Sequence, residues 1–348
     1  MDTINYAMLS QLVTIIRKVD QVYPDPAVID QAAGIINKGG TVVFPTETVY
    51  GLGADATADS SVLNIYRAKA RPADNPLIVH FSSLAMMREY VHVTDDIITV
   101  AGRIWPGPVS IIFESSPKIS RIARASLQTA GSRIPANPVA LALIASAGVP
   151  IAAPSANIST RPSIVSSSVA IEERDGKVDM ILDAGDTFFG IESTVLRKSN
   201  EGYEILRPGA FGVEDLEPIL GKIIVSEAAR AAVSVDKPLT PGMKYRHYSP
   251  SKTLFRIEDK EAFLAYVEKN RMNDTALICS EEVAATLGMQ FISLGSEKNL
   301  YEIARNLFPA LRKLDASRYE NGIIHGFPES GIGLAIMNRI RKASVSLQ

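Results

Sequence analysis

Short apolar runs alternate with longer amphipathic windows over most of the chain, a pattern typical of an α/β protein. The first long window predicts a helix that begins at Asp25-Pro26 and ends at Gly39-Gly40. A second helix is predicted to be capped by Asp59 or Ser60, and a third covers residues 139–147. Strands are predicted at residues 41–44, 77–81, 109–113, 150–153, 180–183, 194–197 and 203–206.

The alternation lapses over residues 227–250 and then resumes. The end of this stretch, PGMKYRHYSP, combines prolines, a glycine and basic residues, which favours a linker with unusual chemistry. Beyond it, strands are predicted at 253–256, 276–279, 291–294 and 322–325, and helices at 260–268, 300–314 and 332–342. We therefore expect a first domain over 1–226, a linker over 227–250 and a small parallel α/β domain over 251–348.

Composition narrows the class of protein. A chain of 348 residues fits two domains at roughly 150 residues each. The net charge of -2 excludes bulk positive charge as a means of holding nucleic acid. With Cys279 as the one cysteine, an intrachain disulfide is impossible, and we expect a cytoplasmic protein. The longest uncharged stretch, 134–160, is interrupted by prolines, so no membrane span is expected.

Common nucleotide-binding and hydrolase motifs are absent from the sequence. The nearest approach to a Walker A loop, 185–190, is followed by Ile191-Glu192 rather than by lysine. Gly51-x-Gly53 lacks the third glycine of a dinucleotide fingerprint. There is no G-x-S-x-G and no H-E-x-x-H. Any nucleotide must therefore be held without these loops.

Polar residues instead follow the predicted strands. The segment PTETVYGLG at 45–53 places two threonines and a glutamate directly after a strand, where α/β proteins bind ligands. The alternative is a polar turn in which Gly51 and Gly53 have positive φ angles.

Two cations lie at the end of the second predicted helix. Lys69 and Arg71 come just before Pro72, and we expect both at an exposed helix end, where they could also serve the helix dipole. Asn75 and His80 follow on a loop and strand that leave the same point. An ammonium, a guanidinium, an amide and an imidazole together suit a phosphate-rich ligand.

Further polar groups occur at other strand ends, and each alone is a common turn former. The segment AAPSAN at 152–157 follows a buried strand, TAGSRIP at 129–135 contains an arginine, and GIESTV at 190–195 contains a serine and a threonine. Arg207 follows the strand 203–206. Their number, and their common position at strand ends, is unusual.

In this order the blocks PTETVYGLG, K-x-R at 69–71, PLIVH, WPGP, AAPSAN, GIEST and RPG resemble the YrdC-type domain. The added C-terminal part and PGMKYRHYSP resemble the long, two-domain form of that family. The resemblance covers nearly the whole chain, from about Asp25 to Ala343. It implies a twisted, open mixed sheet with helices, plus a small Rossmann-like parallel α/β domain.

The resemblance also implies a reaction, the synthesis of threonylcarbamoyl-adenylate and diphosphate from L-threonine, bicarbonate and ATP. Mg²⁺ is expected to be held mainly through phosphate oxygens and water. A downstream enzyme would transfer the group to tRNA, so a tRNA threonylcarbamoyl transferase is an expected partner and tRNA contact is expected to be weak or indirect.

By resemblance, specific residues take roles in this reaction. The catalytic set is Lys69, Arg71, Ser155 and Asn157. The ATP-binding set is Arg71, Asn75, Thr129, Ser155, Ser163, Arg207, Tyr245 and His247. The L-threonine-binding set is Thr48, His80, Arg133, Ala153 and Ser193.

Alternatives remain at this level. An RNA-binding module of the same fold would use the same cations, although the acidic pI and the lack of an aromatic stacking set count against it. A maturation enzyme for another carbamoyl group would need further segments. The linker is either a lid that excludes water or a solvated basic connector.

Overall fold

The computed structural model describes residues 13–70, 72, 74–231, 248–270 and 272–347. The strands of the first part are β1 Ile15–Lys18, β2 Val42–Phe44, β3 Gly51–Asp55, β4 Ile78–His80, β5 Val109–Glu114, β6 Thr129–Arg133, β7 Ile151–Ala152, β8 Met180–Asp183, β9 Thr194–Ser199, β10 Gly202–Arg207 and β11 Ile223–Val225. Its helices are α1 Pro26–Asn37, α2 Asp59–Lys69, α3 Leu84–Arg88, α4 Asp95–Ile104, α5 Pro138–Ala147, α6 Ser167–Arg174 and α7 Val213–Leu220.

These strands form one mixed sheet in the order β1-β8-β2-β3-β7-β4-β6-β5-β9-β10-β11. The sheet contains both parallel pairs, such as β4 with β6, and antiparallel pairs, such as β5 with β6. Helices cover both faces, because neighbouring strand residues enter different cores: Val43 joins the core with α2 and α4, whereas Val42 joins the core with α1 and α5. The expected mixed-sheet fold is confirmed.

The second part is a smaller parallel sheet in the order β14-β13-β15-β12-β16. Its strands are β12 Thr253–Ile257, β13 Thr275–Cys279, β14 Ile292–Ser293, β15 Asn321–His325 and β16 Val345–Ser346. Its helices are α8 Lys260–Lys269, α9 Glu281–Leu287, α10 Leu300–Ala316 and α11 Gly333–Ala343. Helices connect most of the parallel strands, as the crossover rule requires, so the predicted Rossmann-like layout is confirmed.

The local signals in α1 act as the sequence predicts. The Asp25 side chain caps the helix by accepting from the amide of Ala27 at 2.9 Å, and Pro26 occupies the first turn. The helix buries Ile29 and Ile36 against the sheet. Apolar spacing and caps together were sufficient to place this helix.

The stretch Gly51–Asp55 corrects the polar-turn alternative. It is strand β3, and neither Gly51 nor Gly53 is among the described glycines with positive φ. A Cβ on Gly53 would lie 2.6 Å from the Ile151 side chain and 2.7 Å from that of Phe44. These glycines therefore allow close strand packing rather than a turn.

The predicted cap of α2 is also corrected. Ala58 occupies the N-cap position and makes no side-chain cap bond, whereas Asp59 lies in the first turn. The Asp59 carboxylate accepts a hydrogen bond from the hydroxyl of Ser120 instead. The Asp59 side chain, which the local sequence predicts as a helix cap, therefore pairs with a residue distant in sequence.

The two sheets share a continuous apolar core. Val49, Ile191 and Ala210 of the first part pack in one cluster with Phe308 and Ile336 of the second. No helix in the described ranges is both long enough and apolar enough to cross a bilayer.

Candidate active site

A cavity of about 470 Å³ lies over strand β4 of the first sheet. Ile78 and His80, alternate residues of β4, both line it, so the cavity follows one face of this strand. Ten predicted site residues line it: Thr48, Lys69, Asn75, His80, Arg133, Ala153, Ser155, Asn157, Ser193 and Arg207. Strand ends far apart in sequence thus converge as predicted.

Lys69 occupies a different environment from the exposed helix end that the sequence predicts. Only 3% of Lys69 is exposed, and its ammonium donates to the carbonyl oxygens of Ser155 and Asn157. The loop that accepts these bonds is itself held beside the start of β3, because the backbone amide of Ala156 donates to the backbone carbonyl oxygen of Tyr50 at 2.7 Å. Lys69 therefore fixes the loop at the cavity as well as carrying charge into it.

Arg133 ends β6 and is buried beside Glu47 and Thr48. Its Nη1 lies 3.6 Å from a carboxylate oxygen of Glu47 and donates to the Thr48 hydroxyl at 3.2 Å. Burial lowers the pKa of Arg133, Glu47 counteracts that shift, and a guanidinium stays protonated in proteins. This part of the cavity thus presents a fixed cation beside a hydroxyl.

Three buried polar atoms at the cavity make no hydrogen bond within the described part of the chain: Nδ1 of His80, Nε of Arg133 and Oδ1 of Asn157. Buried polar atoms are nearly always paired in folded proteins. Their side chains belong to separate elements and line the same space, so they indicate a polar ligand there.

Arg207 and Ser193 form another part of the cavity wall. The Arg207 guanidinium donates to the Ser193 carbonyl from Nη2 at 3.0 Å and to the Ser193 hydroxyl at 3.1 Å. Gly209 permits this approach, because a Cβ there would lie 2.2 Å from the Thr194 nitrogen. The RPG and GIEST segments are therefore packed backbone to backbone.

Two predicted nucleotide-binding residues do not line the cavity. Thr129 begins β6 and is paired in register with Glu114. Ser163 is fully buried and donates to a Glu192 carboxylate oxygen at 2.5 Å. The sequence placed both near strand ends, but Thr129 lies at the end of β6 away from Arg133, and Ser163 hydrogen-bonds a neighbouring residue instead.

Three predicted residues, Arg71, Tyr245 and His247, lie outside the described residues. Several other residues that line the cavity were not assigned to the site from the sequence, among them Glu192 and Tyr248, which are both buried. Glu192, within the GIEST block, projects a buried carboxylate, and Tyr248, within PGMKYRHYSP, stacks on Phe308 at 5.3 Å. Both lie within motifs that the sequence analysis identified, and membership of those motifs was the signal that could have identified them as site residues.

Together the fold and the cavity define an α/β protein with a cation-lined ligand pocket of the YrdC type. The Sua5/YciO/YrdC family, described as telomere recombination, matches residues 34–209. The C-terminal domain family of threonylcarbamoyl-AMP synthase matches residues 212–345. The chain belongs to the threonylcarbamoyl-AMP synthase family, in its two-domain form, and the family resemblance is confirmed.

Individual relatives agree over almost the full length. The threonylcarbamoyl-AMP synthase of Pyrococcus abyssi is 40% identical over 324 residues, 90% of this chain and 93% of that protein. The Bacillus subtilis protein of the same name is 37% identical and covers 93% of this chain and 95% of its own. The crystal structure of P. abyssi Sua5 complexed with L-threonine has a TM-score of 0.86, with 38% identity, over 96% of this chain and all 100% of that one.

Proposed function

We propose that this cavity makes threonylcarbamoyl-AMP and diphosphate from L-threonine, bicarbonate and ATP. The observation that carries the proposal is the convergence of Lys69, Arg133 and Arg207, three buried cations on different elements, around one cavity. Such a set suits a substrate pair that carries a carboxylate and a triphosphate. The relatives named threonylcarbamoyl-AMP synthase support the same reaction.

The threonine end is assigned to the Arg133 side of the cavity. The unpartnered Nε of Arg133 would donate to the carboxylate of the amino acid, and Thr48 would hydrogen-bond its polar atoms. Ala153 and Ser193 also line the cavity, and we assign them to the threonine end. The P. abyssi relative was solved with L-threonine, which supports an amino-acid subsite in this fold.

The nucleotide end is assigned to Lys69, Asn75, Ser155 and Arg207. These side chains belong to the other lining segments of the cavity. Arg71, Tyr245 and His247 remain predictions for this end, since they lie outside the described residues.

The chemistry requires positioning and charge stabilisation more than a protein nucleophile. The threonine amine and bicarbonate give a carbamate with loss of water. A carbamate oxygen attacks the α-phosphorus, the bond from that phosphorus to the bridging oxygen breaks, and diphosphate leaves. Lys69 and Asn157 would hold the reacting groups in place while nearby cations neutralise the charge that passes to diphosphate.

Mg²⁺ is proposed to enter with ATP. No three His, Cys, Asp or Glu side chains converge as a metal site among the residues that the structure describes. The donor set of the cavity is dominated by cations and hydroxyls, so phosphate oxygens and water would supply the magnesium ligands.

The linker 227–250 is proposed as a lid, between a domain over 1–226 and another over 251–348. A carbamate decomposes in water, so the site benefits from solvent exclusion. Tyr248, which begins the part described again after residue 231, is buried and lines the cavity, so this segment of the chain already reaches the site. Ligand protection of the Met243 region from proteolysis is the expected result, and unchanged cleavage would contradict the lid.

The wider role proposed is cytoplasmic tRNA modification, with the adenylate passed to a transferase that modifies tRNA. The decisive assay measures diphosphate release from ATP, with either threonine or bicarbonate omitted in turn. Release that requires both supports the synthase. RNA affinity that falls steeply with salt, without such release, would support the RNA-binding alternative.

A further inference from the structure

Glu192 is an unexpected group in a cavity proposed to bind ATP. Glu192 is buried and lines the cavity. It immediately precedes Ser193, whose carbonyl oxygen accepts a hydrogen bond from Arg207. A negative charge at this place would repel phosphates and compete with them for Arg207, unless another group neutralises it.

The neutralising group comes from the second part of the chain. Arg339 on α11 is fully buried, and its Nε and Nη2 donate to one Glu192 oxygen at 3.1 and 2.9 Å. Ser163 donates to the other oxygen at 2.5 Å. Both carboxylate oxygens are therefore held by fixed donors, and the two charges are separated from solvent.

Arg339 also fixes the RPG segment. Its Nη1 donates to the carbonyl oxygen of Pro208, the residue after Arg207. Its guanidinium lies 5.4 Å from the centre of the Tyr248 ring, which lines the cavity. One side chain of the second part thus contacts two cavity-lining residues and the backbone next to a third.

The charges around Glu192 indicate what Arg339 does. Burial alone would raise the pKa of Glu192, but Arg339 first and Arg207 next hold it below its usual range. Glu192 is therefore ionised, and Arg339 forms an ion pair with it at 2.9 Å. If Arg339 were removed, the buried carboxylate would lose its charged hydrogen-bond donor, and Arg207 and Lys342 would be other cations that act on it.

We propose that Arg339 is a positioning residue of the nucleotide site, which by pairing with Glu192 neutralises the carboxylate that lines the cavity, so that the phosphates of ATP do not meet an uncompensated negative charge. The C-terminal part then completes the active site, in addition to any other role. This inference rests on the proposed function, because ATP is the ligand whose affinity it concerns.

A merely structural role for Arg339 is the competing explanation, and α11 supplies the matched control. Arg341 lies two residues further on and forms ion pairs with Glu258 at 2.7 Å and Glu329 at 2.5 Å. These carboxylates belong to the second part of the chain and do not line the cavity. Arg341→Met therefore removes a comparable ion-paired arginine from the same helix without changing the charge at the cavity.

The experiment compares binding of ATP and of L-threonine by calorimetry in the full chain. Arg339→Met is expected to weaken ATP binding by about ten-fold or more, while threonine binding changes by less than about two-fold. Adding Glu192→Gln to Arg339→Met should restore most of the ATP affinity, since it removes the uncompensated charge. Arg341→Met should leave both affinities unchanged. Arg339→Lys retains the charge, so it should weaken ATP binding less and provides a second variant if Arg339→Met does not fold.

Equal losses of both affinities in Arg339→Met, or no recovery on adding Glu192→Gln, would overturn the proposal. The binding comparison does not require turnover. If the unaltered chain binds ATP but releases no diphosphate in the presence of threonine and bicarbonate, the proposed function fails while the role of Arg339 is still decided by the binding data.

Discussion

Arg133 and His80 are neighbours in register on the parallel strands β6 and β4, and both side chains line the cavity. Burial, and next the positive charge of Arg133, hold the pKa of His80 well below its usual range. His80 is therefore neutral near pH 7. A bound carboxylate would meet one fixed cation here, with the imidazole as a neutral hydrogen-bonding partner.

The Arg133→Ala variant is expected to weaken L-threonine binding by about 1.5–3 kcal/mol, because a charge-assisted hydrogen bond is lost. ATP binding should change much less, since the phosphates are assigned to Lys69 and Arg207. Titration calorimetry with each substrate separately measures the difference. Arg124→Ala is the control, because Arg124 is buried in the same part of the chain but does not line the cavity. Equal weakening of both substrates by Arg133→Ala would contradict the assignment.

The Lys69→Ala variant is expected to destabilise the protein as well as abolish turnover. Loss of the ammonium leaves the carbonyl oxygens of Ser155 and Asn157 without this donor, which costs about 1–3 kcal/mol for buried groups. Urea denaturation and diphosphate release measure the two effects. Arg67→Ala on the same helix is the control, since the bond of Arg67 to Asn64 is exposed. A Lys69 variant as stable as the Arg67 variant would show that the buried contacts do not stabilise the fold.

The Gly209→Ala variant is expected to weaken ATP binding by moving Arg207. The added Cβ would lie 2.2 Å from the backbone nitrogen of Thr194 and 2.4 Å from the backbone carbonyl oxygen of Glu192, so either the RPG segment or the GIEST segment must shift. ATP titration and thermal unfolding measure the outcome. Gly102→Ala in α4 is the control, because a Cβ there would meet nothing within 4 Å beyond its own helix backbone, and alanine favours helix by up to about 1 kcal/mol. Unchanged ATP affinity in Gly209→Ala would show that the close approach is not needed for binding.

The pH dependence of stability should report on Lys342, three residues after Arg339 on α11. Burial, then the charges of Arg339 and Arg207, lower the pKa of Lys342 to about 7, against 10.5 for an ordinary lysine. Between these two values the unfolded chain binds more protons than the folded one, so this group makes the free energy of unfolding rise with pH. The stability that Lys342 contributes is fully present above the pKa of the unfolded state, and it is lost as the pH falls through the lower pKa of the folded state.

Lys342→Met is therefore expected to reduce the rise in stability over that pH interval, as measured by urea denaturation at several pH values. Lys313→Met, at an exposed position of α10, serves as the control and should keep the slope of the unaltered protein. An identical slope in the Lys342 variant would show that this lysine does not lose its proton in the folded state.

The sequence placed the regular elements where local signals and apolar pattern coincide. α1 begins after its Asp25 cap, and β8 spans Met180–Asp183 as predicted. Strands β3 and β6 were missed, because Gly51–Asp55 and Thr129–Arg133 lack a continuous apolar run. Their pairing depends on neighbours: a Cβ on Gly131 would lie 2.6 Å from the end of the Ile78 side chain, so a larger residue there would require Ile78 to move.

By itself the sequence determined the α/β class, the family and many of the side chains that converge on the cavity. It did so because polar residues at strand ends are a local pattern that can be read along the chain. Only the tertiary structure decided that Lys69 is buried and that Glu192 is paired with Arg339, 147 residues away. Burial and charge pairing depend on distances between segments, and those distances are set by the packing of the two sheets.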